Sequence, residues 1–180
     1  MMKTARLTLR RLSGNDADAL HAIMSDWQVV RQLGGWPWPP DPAFTRMRCD
    51  DNATKQRDIY GVHLNGALIG TVGTHKADLG YCFAQGHWGQ GYAREASIAA
   101  LDKAFTDADC SVITASAWGD NDASVQVLQK LGFVEGTPET QHALARDAAT
   151  LCRKFTLSRA AWLEGRGAIA YRLQRPNPKA

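Results

Sequence analysis

Two glycines flank Gln90 in HWGQGYAREASIAALDKAF, residues 87 to 105, just ahead of the most helix-like segment of the chain. Glycine is poor inside a helix, so Gly89 and Gly91 serve a turn or a close backbone approach. The amides that open a helix lack intrahelical acceptors and carry partial positive charge, so they attract anions, phosphate above all. Tyr92 and Ala93 open this helix, which makes their N–H groups natural phosphate donors, and Arg94 adds charge beside them. Such a loop can cradle a pyrophosphate with backbone alone. Three ligands are plausible by that argument: a nucleoside triphosphate, a dinucleotide and acetyl-CoA. A nucleotide P-loop needs G-x-x-x-x-G-K-[ST], and neither the lysine nor the hydroxyl follows Gly91. A dinucleotide fingerprint needs a third glycine where Arg94 stands, and the antiparallel pattern ahead of the loop is wrong for that fold.

The elements that must position this loop follow from periodicity. ARLTLRRL, residues 5 to 12, alternates as a half-buried strand. Asn15 or Asp16 is placed to cap a helix through residues 16 to 26, with Leu20, Ile23 and Met24 on one face. GGWPWPPDP, residues 34 to 42, reads as a loop because proline fixes φ and removes donors. Residues 60 to 76 form a hairpin around Asn65-Gly66, and a third strand over 77 to 84 feeds the glycine loop. The helix beyond it carries Ile98, Leu101 and Phe105 as one apolar stripe. Residues 111 to 118 make the next strand. NDASVQVLQKLGF then supplies an N-cap in Asn121, a first-turn hydroxyl in Ser124 and a short helix stopped at Gly132, with Phe133 folding back onto Leu128. FVEGTPE and residues 152 to 157 are expected to close a hairpin, and the tail QRPNPKA to fray.

Bulk properties narrow the classes. At 180 residues and 44% hydrophobic, the chain suits one globular α/β domain, assigned to 1–174, with 175–180 as tail. A net charge of +3 without a basic run gives no footprint for nucleic acid. Cys49, Cys82, Cys110 and Cys152 lie far apart, form no CxxC pair and join no histidine cluster, so no metal is expected and reduced thiols in the cytoplasm are. The N-terminus lacks the apolar stretch of a signal peptide, and no run approaches a membrane span.

WGQGYA, residues 88 to 93, resembles the pyrophosphate loop of the GNAT superfamily of N-acetyltransferases, written Q/R-x-x-G-x-G/A. Trp88 takes the first position, Gly91 the fourth and Ala93 the sixth. Tryptophan at the first position, DLGYCFAQGHWGQGYAREA, and NDASVQVLQKLGF together resemble the branch that contains the RimJ/RimL-type enzymes, which acetylate protein N-terminal amines, and relatives acting on small amines. The likeness implies a GNAT fold with a mixed, mostly antiparallel central sheet and helices on both faces.

It also implies an activity: acetyl transfer from acetyl-CoA to a primary amine by direct attack. Contacts to acetyl-CoA are expected from Phe83 and Ala84, where their strand splays, and from Trp88, Gly89, Gln90, Gly91, Tyr92, Ala93, Arg94, Asn121 and Ser124. The Ser124 hydroxyl would lie beside the CoA sulfur and protonate the departing thiolate. Asp78 aligns with the branch's acidic residue and is the first candidate for the base; Tyr81 would orient the carbonyl or amine. His63 and His87 are further candidate bases without positional support. Trp36 and Trp38 sit in the loop bordering the acceptor cleft, where they would grip the substrate or cover the core. The acceptor stays open between a protein N-terminal amine and a small amine such as an antibiotic, a polyamine or an amino acid. A non-catalytic CoA-binding module is the rival class, and the oligomeric expectation is monomer or homodimer.

Overall fold

The computed structural model describes residues 1–50 and 58–173, with side chains as far as Arg166. The expected tail, 175–180, lies outside the described residues. Among the described residues, nine strands form one sheet in the order β1-β2-β3-β4-β5-β6-β9-β7, with β8 pairing β9. They are β1 (Met2–Lys3), β2 (Thr8–Arg11), β3 (Ile59–Leu64), β4 (Ala67–His75), β5 (Asp78–Phe83), β6 (Val112–Trp118), β7 (Val134–Glu135), β8 (Glu139–Ala143) and β9 (Ala148–Ser158). Among the described residues, only β5 and β6 run parallel; every other pair is antiparallel. The expected mixed sheet with helices is what forms. Asn65 and Gly66, both at positive φ, turn the β3–β4 hairpin as their types require.

Strand alternation sends Leu9, Val62, Val72, Leu79, Phe83, Ile113 and Phe155 into the larger core. Helix α4 (Tyr92–Ala104) packs there through buried Ala96, Ala100 and Leu101. Of the expected stripe, Leu101 and Phe105 are buried, while Ile98 sits at the margin because the small Ala96 and Ala100 bring the helix close to the strands. Helix α5 (Asp122–Lys130) adds Val125 and Leu128. It stops as its residues dictate: Gly132 adopts φ +90°, and the Phe133 N–H bonds the Leu128 carbonyl at 3.1 Å.

The other face carries a smaller core under α1 (Ala17–Met24), α2 (Trp27–Val30) and α3 (Pro42–Cys49). Helix α3 begins inside the expected proline loop: Asp41 caps Ala43 at 2.8 Å, and Pro42 fills the first helical position, where its missing N–H has no partner to lose. Asp16 heads α1 but does not cap it. Its carboxylate turns instead to Arg10, at 2.8 Å to each oxygen, and to the Ser13 N–H at 2.8 Å. Burial alone would raise that carboxyl, yet the hydrogen bonds from Arg10 and Ser13 outweigh it and hold it at about 2.

At the C-terminal end the expected closing hairpin is two pairings. Val134 and Glu135 do meet Thr156 and Phe155, but the tight hairpin is β8 with the first half of β9. Helix α6 (Arg159–Leu173), which periodicity does not announce, follows β9 and buries Trp162 against Phe105.

Candidate active site

The site is built where two parallel strands part. β5 and β6 are in register only at Asp78↔Thr114 and Leu79↔Ala115. Beyond those pairs the strands diverge. The Ala84 N–H bonds the Ile69 carbonyl at 2.9 Å, so antiparallel alternation points the backbone groups of Tyr81 and Phe83 away from β4, toward the gap. Phe83 and Ala84 stand at the splay. Their groups are not all open, however: the Phe83 carbonyl accepts from the Trp88 indole at 2.7 Å, and the Ala84 N–H is the one used by Ile69.

The glycine loop begins at that splay. Gln85–His87 form one tight turn, Trp88 follows with its side chain 45% exposed, and Gly89 and Gly91 adopt φ +73° and +80°. A side chain at Gly89 would meet nothing within 4 Å, so its glycine answers a backbone conformation and not crowding. Gly91 is the N-cap of α4 and offers no side-chain cap, which leaves the first-turn amides of Tyr92, Ala93 and Arg94 directed outward. The Gln90 side chain braces the loop by donating to the Gly86 carbonyl at 3.1 Å. Tyr92 is buried, and His87 lies 6.1 Å from its ring centroid. Arg94 lines a shallow outer groove with Lys3, Arg6, Glu95, Asp102 and Arg166.

Tyr81 and Ser124 meet across the gap. The Tyr81 hydroxyl lies 2.8 Å from the Ser124 hydroxyl and 3.3 Å from the Ser124 carbonyl. Asn121 fixes that helix start: its Oδ1 accepts from the Ser124 N–H at 3.1 Å, and its own N–H bonds the Trp118 carbonyl at 2.9 Å. Burial pushes the Tyr81 phenol up to about 12, against a smaller lowering by Ser124, so it is neutral throughout the ordinary working range.

Asp78 is not brought to this pair. It lies three residues before Tyr81, on the opposite sheet face and roughly 10 Å along the strand. It stands at the paired end of β5 and β6, in register with Thr114, whose hydroxyl donates to it at 2.7 Å. Though open to solvent, it has enough protein around it that desolvation raises its carboxyl pKa, against lowering by Thr114, Lys154 and His75. Gly80 and Ser116 are exposed beside it on the same face. Trp36 packs edge-on to Phe44 at 5.4 Å and against the α1–α3 core, whereas Trp38, 41% exposed, rests on Trp27 at 5.2 Å. His63 is enclosed near Asp16, at 3.5 Å, and bonds the Gly61 carbonyl.

Two clusters escape local sequence reading. Thr4 and Arg6 bind Glu95 in the first turn of α4, and Arg6 also reaches the Gln90 carbonyl at 3.0 Å. Asp120, next to the Asn121 cap, is gripped by Arg31 at 2.7 Å and by Arg146 at 2.8 Å. Their partners lie about 26 to 91 positions away along the chain, so no spacing rule exposes them. Among the described residues, no group of three or more His, Cys, Asp or Glu could hold a metal ion, and no helix is long and apolar enough to cross a membrane.

Residues 6–134 match the profile of the acetyltransferase (GNAT) domain. The uncharacterized N-acetyltransferase p20 of Bacillus licheniformis is 30% identical over 143 residues, covering 72% of this chain and 80% of that protein. The fold is shared with AAC(6')-Ib in complex with ribostamycin and coenzyme A: TM-score 0.71, 19% identity, 89% of this chain and 98% of that one. It is shared equally with the ribosomal L7/L12 alpha-N-protein acetyltransferase RimL in complex with coenzyme A: TM-score 0.72, 17% identity, 86% and 95%.

Proposed function

The chain belongs to the GNAT family of acetyltransferases and is an acetyl-CoA-dependent N-acetyltransferase, and on that premise we propose that its acceptor is a protein or peptide N-terminal amine. The reading follows the RimJ/RimL-type resemblance, and the observation that carries it is electrostatic. A polycationic antibiotic or polyamine needs several uncompensated carboxylates, because each ammonium taken from water requires a partner. Here Asp120 is held by Arg31 and Arg146, Glu135 by Arg153 and Glu139 by Lys154. Asp78 faces the open side beside Gly80, bonded to the Thr114 hydroxyl, with Lys154 and His75 near enough to favour its charged form. That carboxylate suits one ammonium. An α-amino group, with a pKa of about 7.7–8.0, is also partly neutral at pH 7 and asks less of a base than lysine at about 10.4.

Acetyl-CoA supplies the thioester whose acetyl group passes to the amine with release of the thiol. The proposed ligand cradle is the Trp88–Ala93 loop with Arg94 and the outward amides of α4, then the gap between β5 and β6 lined by Tyr81, Phe83, Ala84 and Asn121. On the Asp78 face the amine approaches with its lone pair free, bonds to the acetyl carbon and releases one proton. Asp78 receives it through water, since the strand spacing forbids direct reach. On the Tyr81 face the Ser124 hydroxyl donates a proton to the sulfur as the carbon–sulfur bond breaks, and the Tyr81 hydroxyl, at 2.8 Å, orients and resupplies it. Holding both reactants in this wedge contributes as much as the proton transfers, since effective molarities reach ~10⁵ M or more. Trp38 is proposed to line the acceptor side and Trp36 to stiffen it. The proposed compartment is the cytoplasm, consistent with four free thiols.

Thiol release from acetyl-CoA, measured against N-terminal peptides, an aminoglycoside and a polyamine, tests the proposal. Peptides are expected to turn over at least tenfold faster by kcat/KM. A preference for the aminoglycoside or polyamine would overturn the acceptor assignment, and CoA binding without release to any amine would favour a silent binding module.

A further inference from the structure

Inside the glycine loop the Gln90 side chain holds the Gly86 carbonyl and the Trp88 indole the Phe83 carbonyl, but Gly89 and Gly91 have no side chains, and Gly91 gives α4 no side-chain cap. A further restraint comes from residues 4–6. The Arg6 Nη1 donates to the Gln90 carbonyl at 3.0 Å, and the guanidinium carbon lies 4.4 Å from the Tyr92 ring centroid. The Arg6 Nε donates to Glu95 at 2.7 Å. Glu95, in the first turn of α4, also accepts from the Arg6 backbone N–H at 2.9 Å and the Thr4 hydroxyl at 2.6 Å. One arginine therefore touches the residue between the glycines, the residue after them and the helix they introduce.

We propose that Arg6 and Glu95 form a positioning latch that keeps the pyrophosphate loop in its ligand-ready conformation. The proposal rests on the assignment of that loop to the CoA pyrophosphate. Glycines at positive φ have many alternative conformations, and a tie from outside the loop narrows them further. The planar guanidinium suits the task because its fork engages the carboxylate and a carbonyl at once. The Arg6 side chain is 45% exposed, and pairs this open to water add little to folding. The latch therefore acts on loop order. Apparent affinity falls in proportion to the competent fraction, so loosening that leaves about a tenth of molecules competent weakens CoA about tenfold.

Isothermal titration calorimetry with CoA on the full chain, alongside thermal unfolding, reads this out for Arg6→Ala, Glu95→Ala and the double variant. Each single variant is expected to bind CoA about tenfold more weakly while Tm falls by no more than about 4 °C. The double variant should lose no more than the weaker single, because both act through one tie. Arg6→Lys should recover only part of the affinity, since an ammonium lacks the fork. CoA affinity within twofold of wild type in the singles, or losses that add in the double, overturns the latch. Should Arg6→Ala fail to fold, Arg6→Lys and Glu95→Gln carry the same comparison. A wild-type chain that does not bind CoA would instead overturn the loop assignment.

Discussion

Replacing Ser124 by alanine separates a proton donor from an ordinary first-turn serine. The substitution leaves the Asn121 cap intact, because Asn121 accepts from the Ser124 backbone N–H and not from its hydroxyl. It removes one hydrogen bond, the 2.8 Å contact with Tyr81, whose hydroxyl keeps the Ser124 carbonyl as a partner at 3.3 Å. That limits the stability loss to about 1 kcal/mol, partly offset by the better helix propensity of alanine. For a chain of this size the cost is about 2–4 °C in Tm. A donor acting on the departing sulfur contributes about 10²-fold or more, or about 2.7 kcal/mol of barrier, so kcat and kcat/KM should fall together by that factor. CoA affinity should stay within about threefold. Tyr81→Phe, which preserves the ring and frees the serine hydroxyl to rotate, should lower kcat by a smaller factor of about ten. Steady-state kinetics, calorimetric CoA titration and thermal unfolding on the two variants measure all of this. Near wild-type kcat in Ser124→Ala, accompanied by the 2–4 °C loss, would refute the donor role and leave the serine as a structural contact.

Acetyl-CoA should raise the Tm of the wild-type chain, and Gly91→Val should abolish that rise. No folded atom but an Arg6 nitrogen lies near the added Cβ, so the loss would come from the +80° φ and from the approaching phosphate. Asp78→Asn tests the water-relayed base. Desolvation raises the Asp78 carboxyl, so wild-type activity should fall as pH drops through a value above 3.8, and the variant should lose that limb along with ~10²-fold of kcat. A raised carboxylate stabilises the fold only while protonated and loses that contribution as pH rises through its folded pKa, so Asp78→Asn should unfold no more easily at neutral pH. Asp16 has the opposite sign. Its fall from 3.8 to about 2 contributes about 2 kcal/mol above the unfolded value, lost as pH falls from there toward 2. Urea unfolding of Asp16→Asn at pH 7 should show that loss, and it should vanish in strong acid.

Local rules were sufficient wherever a residue's neighbours along the chain are also its neighbours in space. Asn65-Gly66 makes its turn, Gly132 stops α5, Asn121 caps Ser124, and the two glycines open α4 at positive φ, all within spans of a few residues. Those features made the loop and the family resemblance legible together. Other outcomes required the sheet. That Tyr81 and Ser124, 43 positions apart, share a hydrogen bond depends on β5 and β6 pairing twice and then parting. That Asp78 falls on the opposite face from Tyr81 follows from the two-residue strand period once the strand is placed, but how far that face stays open depends on where α1–α3 end. The Asp16 carboxylate chose Arg10 over a cap, and Arg6 found Glu95 across 89 positions. A charged side chain meets such a partner only after the fold has brought the two within about 3 Å, and no spacing along the chain encodes that distance.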